Sequence, residues 1–168
     1  MKFSNIKLGK NVEIDPSTSF NNVIINDNVK IAKRCSLFGS EKNILEIGKN
    51  SYAGMNTVIN GFAAKVSIGS NVSIAQNVNI MADSGPNASK AMQTIFPIEK
   101  GAITIGNHCW IGASAVIMPN VNLGDYTTVA ANSFVNKSFP EYSIIGGNPA
   151  KLIRKFTVEE IEKLAKDD

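Results

Sequence analysis

The chain has 168 residues, of which 43% are hydrophobic and 18% charged, with a formal net charge of +3. That length fits one domain, and the apolar and aromatic content suffices for a packed core, which excludes a disordered chain. The charge is too small to imply nucleic acid by itself, and no apolar run approaches the length of a membrane span.

Met1-Lys2-Phe3-Ser4 leads straight into polar residues, so no signal peptide and a cytoplasmic location are expected. A repeat then begins. Leu8-Gly9 and Ile14 open it, and Ile25, Ile31 and Leu37 follow at six-residue spacing. Ile47-Gly48, Ala53-Gly54 and Ile59 form the next group, then Ile68-Gly69, Ile74 and Ile80. The repeat is clearest from 103 to 137, where Ile105, Ile111, Ile117, Leu123, Val129 and Val135 recur every six residues. Small or β-branched residues sit four positions after the first five of these: Cys109, Ala115, Val121, Thr127 and Ser133.

A period of six fits neither an amphipathic helix nor one alternating strand. It fits a short strand plus a turn, with two inward side chains per hexad. Three hexads make a triangular coil, and coils stack at about 4.8 Å. The chain therefore reads as an all-β parallel β-helix of 17 hexads, close to six coils. The prism would stand roughly 28 Å tall at that spacing. Coils would run from about residue 6 to 137, with a cap over 138–168, in a single domain spanning 1–168.

The steps between groups are irregular: 14 to 25, 37 to 47, 59 to 68 and 80 to 105. All insertions are expected to leave from one corner of the triangle, where loops carry function. The largest, 81–102, is apolar in its middle (Met92, Ile95, Phe96), which points to packing on a neighbouring subunit, a ligand or the prism wall. Cys35 and Cys109 fall at the small inward position, so buried thiols are expected rather than a disulfide. Ser138 to Tyr142 and Gly146-Gly147-Asn148-Pro149 supply turns. Thr157 and Glu160 make a capping box for a helix over 158–166, whose Val158, Ile161, Leu164 and Ala165 face is expected to cover the last coil.

Ile105-Gly106-Asn107-His108-Cys109-Trp110-Ile111-Gly112, Met118-Pro119, Val135-Asn136-Lys137 and Gly146-Gly147-Asn148-Pro149-Ala150-Lys151 together resemble the end of a hexapeptide-repeat acyltransferase. The subgroup is that of maltose, galactoside, xenobiotic and surface-polysaccharide acetyltransferases. The resemblance implies a left-handed β-helix, a homotrimer, acetyl-CoA as cosubstrate and a loop arm reaching over a neighbour. It implies O-acetylation of a surface-glycan sugar by direct transfer with a general base. An amine acceptor is the alternative, as is a catalytically impaired trimer that binds a glycan or scaffolds. A zinc anhydrase on the same scaffold needs three histidines around the metal; this chain has one, and no metal is expected.

Relatives carry their base as a histidine in the large loop, at about Gly85 here. The catalytic candidates are therefore His108, whose imidazole suits neutral pH, and Asp83 and Ser84 at the loop root. His108 lies in a turn where asparagine would serve equally well, and Asp83-Ser84-Gly85-Pro86-Asn87 is turn chemistry in its own right. Asn60, Asp83 and Asn87 are the candidates for holding the acceptor. For the cofactor, Trp110 is expected to face outward, because Cys109 and Ile111 face in. Ala113 and Ala131 match small positions that admit the cofactor, Asn136 and Lys137 match the adenine end, and Lys151 and Arg154 are candidate phosphate partners.

Overall fold

The computed structural model describes residues 4–167. The chain visits three parallel sheets in a fixed order, and these form the faces of a prism. Face A stacks Ile6–Leu8, Val23–Ile25, Leu45–Ile47, Val66–Ile68, Ile103–Ile105 and Asn122–Leu123. Face B stacks Glu13–Ile14, Lys30–Ile31, Tyr52–Ala53, Ser73–Ile74, Trp110–Ile111, Thr128–Val129 and Ser143–Gly147. Face C stacks Ser19–Asn21, Ser36–Phe38, Val58–Asn60, Asn79–Met81, Val116–Ile117 and Phe134–Val135.

The hexad explains the core directly. One inward residue per strand forms a column up each face: Ile31, Ala53, Ile74, Ile111, Val129 and Ile145 on face B are all buried. The residue four places later fills the corner, so Cys35, Cys109, Ala115 and Val121 are buried as well. Buried hydroxyls at the same positions bond backbone carbonyls, as Thr57 Oγ1 does to Ala75 (3.1 Å) and Ser133 Oγ to Ala130 (2.6 Å). Each column isoleucine contributes about 1.5–3 kcal/mol by burial, and truncating one to alanine costs about 2–5 kcal/mol. Burial first of all pushes the Cys109 thiol up to about 11, which keeps it protonated and inert as a nucleophile.

The corners require a left-handed backbone. Among the described residues fifteen non-glycine residues have positive φ, and ten of them are asparagine, the residue whose short amide tolerates that region. Between faces A and B, the amides of Asn11, Asn28, Asn50 and Asn71 bond one another in a ladder with steps of 3.0–3.1 Å. Asn71 Nδ2 then meets His108 Nε2 at 3.3 Å. Above it the ladder turns aromatic: His108 stacks on Tyr126 at 4.7 Å, and Tyr126 on Tyr142 at 5.3 Å.

Three details extend the sequence reading. The first coil is complete, because Phe20 occupies the inward position of face C opposite Leu37. Stacking also continues past Val135: Phe139 bridges Leu123, and Ile144 and Ile145 pair in parallel with Thr128 and Val129. That partial seventh coil, with the antiparallel strand Ala150–Lys155 folded back on it, closes the end of the prism. Covering the last coil is thus the work of Phe139, Ile145 and Ala150, all buried, rather than of helix α2 (Val158–Asp167). Val158 is 72% exposed because α2 leaves the prism along the end of that strand. The capping box is present, with Glu160 N donating to Thr157 Oγ1 (3.2 Å) and Thr157 N to Glu160 Oε2 (2.7 Å).

All insertions leave the corner between faces C and A. The large one is a hairpin: Asp83–Ser84 pairs antiparallel with Glu99–Lys100. Its tip carries a single helical turn, α1 (Lys90–Gln93), capped by Ser89. Ile95 and Phe96 are 69% and 58% exposed, so the arm's apolar middle does not pack on its own prism wall.

Candidate active site

Asn60 ends a face C strand at the insertion corner, and Asp83 begins the hairpin one coil further along. Asn60 Nδ2 donates to Asp83 Oδ1 at 3.3 Å. Both line a cleft of about 470 Å³ that runs down face C past Phe38, Ser36 and Asn21. Among the described residues Asp83 is the one titratable side chain lining it. Ser84 is half-buried beside it and pairs with Glu99. Asn87 is exposed at the loop turn, where its N–H bonds Gly85 (2.9 Å) and its carbonyl accepts from Gln93 (3.3 Å).

Gly85, at the position where relatives would carry histidine, packs against Ile98. A Cβ there would lie 2.9 Å from the Ile98 Cα, so a side chain at 85 requires Ile98, just before the opposite hairpin strand, to shift. His108 belongs to another corner, between faces A and B, and its ring is held between Asn71 and Tyr126. The structure therefore unites Asn60 and Asp83 and keeps His108 apart from them within one protomer.

Of the expected cofactor residues, Trp110, Ala113 and Ala131 lie on and beside face B, whereas Asn136 and Lys137 stand at the corner between faces C and A. Trp110 is 58% exposed, in register with Ser73 below and Thr128 above. Ala113 and Ala131 lie one coil apart at the corner between faces B and C, where the Asn132 N–H bonds Ala113 (2.9 Å). Gly112 belongs to the same small surface, because a Cβ on it would meet Ala131 N at 2.5 Å. An exposed indole beside small residues fits the narrow arm of coenzyme A. Asn136 and Lys137 follow the last face C strand, both exposed, with Lys137 Nζ 5.5 Å from the Phe139 ring centre. Lys151 is exposed opposite Gly146 on the end hairpin. Arg154 is committed elsewhere: its guanidinium grips Glu160 through two bonds, of 2.7 and 2.9 Å. The Arg154 side chain, then the Thr157 N–H, hold the Glu160 carboxyl down at about 2. Of the two basic candidates, Lys151 is the one not tied to α2.

Residues 102–137 match the family model for the bacterial transferase hexapeptide, six repeats. The chain is a hexapeptide-repeat protein of the acetyltransferase group. This hexapeptide-repeat protein is 34% identical over 124 residues to galactoside O-acetyltransferase of Escherichia coli (strain K12), covering 73% of the chain and 60% of that enzyme. It spans 57% to 60% of the length of two of the curated relatives it matches, and less than half of several others. Among solved structures it resembles AntD, an N-acyltransferase from Bacillus cereus in complex with dTDP and 3-hydroxybutyryl-CoA. The TM-score is 0.78 at 25% identity, over 95% of this chain and 87% of that one. It also resembles a galactoside acetyltransferase in complex with coenzyme A, with a TM-score of 0.67 at 28% identity, over 92% and 67% of the two chains.

Phe62, on the rim of the Asn60–Asp83 cleft, escaped the sequence reading. The signal was present, since a large aromatic residue directly follows the Asn60-Gly61 turn. No helix of the described residues is long and apolar enough to cross a membrane. Among those residues no group of three His, Cys, Asp or Glu side chains gathers for a metal.

Proposed function

We propose that the chain transfers the acetyl group of acetyl-CoA to an amine borne on a sugar, with the acceptor in the Asn60–Asp83 cleft. The observation that carries this is the loop corner, which offers a carboxylate held by an amide and leaves the histidine position to a glycine packed on Ile98. A sugar hydroxyl is a weak nucleophile and needs a base near neutral pH, whereas an amine in its free form attacks a thioester unaided. Acetyl-CoA supplies the activated acyl group. The neutral amine attacks the thioester carbonyl, a C–N bond forms as the C–S bond breaks, and coenzyme A leaves as its thiolate, which takes up the proton the nitrogen sheds. Asp83 accepts a hydrogen bond from the amine, Asn60 fixes the carboxylate, and Ser84 and Asn87 frame the loop side. Trp110, Ala113, Ala131, Asn136, Lys137 and Lys151 form the cofactor surface, with Arg154 joining only when Glu160 releases it. Both neighbours with bound coenzyme A or acyl-CoA support the donor, and AntD, an N-acyltransferase solved with dTDP, favours a nucleotide-linked amino sugar.

In a triangular prism, face B lies opposite the corner between faces C and A. Trp110 and Asp83 thus stand on opposite sides of the protomer, so a donor whose acyl end lies along Trp110 does not face the Asp83 cleft of the same copy. A homotrimer, in which face B of one copy adjoins the loop corner of the next, resolves this. The exposed Met92, Ile95 and Phe96 of the arm give that contact its apolar area.

The likeness to galactoside O-acetyltransferase favours a second reading, O-acetylation of a surface-glycan sugar in the cytoplasm with His108 of a neighbouring copy as base. Acetyl-CoA consumption against paired acceptors separates the two. Each pair consists of an amino sugar and its hydroxyl counterpart, both free and nucleotide-linked. Turnover confined to the amines, and lost in Asp83→Asn, is the expected result. Turnover of the hydroxyl partner at a similar rate would overturn the first reading.

A further inference from the structure

The amide of Asn60 uses both of its ends. Its Nδ2 donates to Asp83 Oδ1 (3.3 Å), while its Oδ1 accepts the backbone N–H of Phe62 (3.1 Å). The Phe62 carbonyl is gripped in turn by Asn43 Nδ2 at 3.2 Å. The preceding residue is pinned as well, since the Gly61 N–H bonds the Phe38 carbonyl at 2.7 Å. Phe62 therefore sits on a turn clamped from both sides, yet its residue is 67% exposed. A turn needs no aromatic side chain, and a phenylalanine serving the fold would be packed. This one stands on the rim of the Asp83 cleft, which holds a second ring, Phe38, one coil below Asn60 in register.

We propose that Phe62 is the acceptor-orienting residue. The apolar C–H face of the acceptor sugar lies on the Phe62 ring while its polar rim turns toward Asp83, Ser36 and Asn21. Asn60 is the positioning residue that fixes the Phe62 backbone and the carboxylate relative to each other. The inference rests on the reading that this cleft takes the acceptor. A pyranose suits such a site because it has one apolar face and a rim of hydrogen-bonding groups, matching a wall of rings beside amide, hydroxyl and carboxylate. Rigid mounting matters because an anchor already ordered before binding loses little entropy when the sugar arrives.

Steady-state kinetics of the assembled full chain test this with Phe62→Ala, Phe62→Tyr and Phe62→Leu. The alanine variant should raise the acceptor KM roughly 5- to 30-fold, the loss typical of truncating an aromatic anchor. The KM for acetyl-CoA and the oligomeric state should stay unchanged. Phe62→Tyr should restore most of the loss, and Phe62→Leu less of it. An unchanged acceptor KM in Phe62→Ala overturns the proposal. So does dissociation of the assembly in light scattering, which would give the ring to a neighbouring copy. A raised KM for acetyl-CoA instead would give it to the donor. If the wild-type chain acetylates only hydroxyl acceptors, the amine reading falls, and Phe62 is judged on that acceptor's KM. If nothing in the panel turns over, calorimetric titration of the same sugars decides. Binding that weakens in Phe62→Ala supports the platform, and absence of binding to the wild-type chain overturns it.

Discussion

Replacing His108 separates a structural role from a catalytic one. The ring contributes through three features visible in the fold. It meets Asn71 Nδ2 at 3.3 Å, a contact of about 0.5–1.5 kcal/mol net if it behaves as an ordinary hydrogen bond. It stacks on Tyr126 at 4.7 Å with a 10° angle between planes, which adds about 0.5–1.5 kcal/mol. Its backbone has φ 56°, a region that alanine occupies less readily than asparagine does. His108→Ala should therefore cost about 1–3 kcal/mol, or about 3–9 °C in Tm at this chain length. His108→Asn keeps the left-handed backbone and the amide ladder and loses only the stack, so its cost should be about 0.5–1.5 kcal/mol. Thermal unfolding followed by circular dichroism at one fixed protein concentration reads both, with acetyl-CoA turnover measured alongside. If His108→Ala melts within 1 °C or so of the wild type, the ladder argument is wrong. If both variants stay folded at assay temperature and lose roughly 10² to 10⁴ in turnover, His108 is the general base and the hydroxyl reading gains.

Trp110→Ala should raise the acetyl-CoA KM while leaving Tm nearly unchanged, because the indole is 58% exposed; a large fall in Tm with normal KM would make it a structural residue. Glu160 is held at about 2 against an ordinary 4.5, so its contribution is fully present above pH 4.5 and is lost as pH falls from there toward 2. The readout is the loss of helical ellipticity on acid titration, which Glu160→Gln should flatten. Light scattering should return three times the 18.0 kDa protomer, and a monomer that still turns over would refute the placing of donor and acceptor on different copies.

Much of the fold is legible because stacking imposes one demand per hexad. An inward residue, a corner and a small filler recur whether or not the chain has other duties. The gaps in that reading have physical causes. Phe20 is aromatic in an aliphatic column, and it belongs to the terminal coil, where half-burial relaxes the choice of side chain. Ile145 stands six residues after Phe139, so the seventh coil kept the period, but Phe139 came only four after Val135 and was flanked by Ser138 and Pro140. His108 read as a turn residue because its ladder partners, Asn71 and Tyr126, lie 37 positions before it and 18 after it.

The candidate site was less legible for a related reason. Strands in a β-helix are fixed by their neighbours above and below, so the faces have little freedom to vary. The longest loops leave where the hexad is interrupted, and here every interruption shares one corner. Asn60, Phe62 and Asp83 all stand at that corner, on two successive coils. Sequence spacing locates the corner but does not show that the Asn60 amide ties the Phe62 backbone to a carboxylate 23 residues further on from Asn60. The proposed unit of function follows from the same geometry. A corner and its opposite face never meet in one prism, so the acyl donor proposed on face B would reach this cleft across a contact between copies.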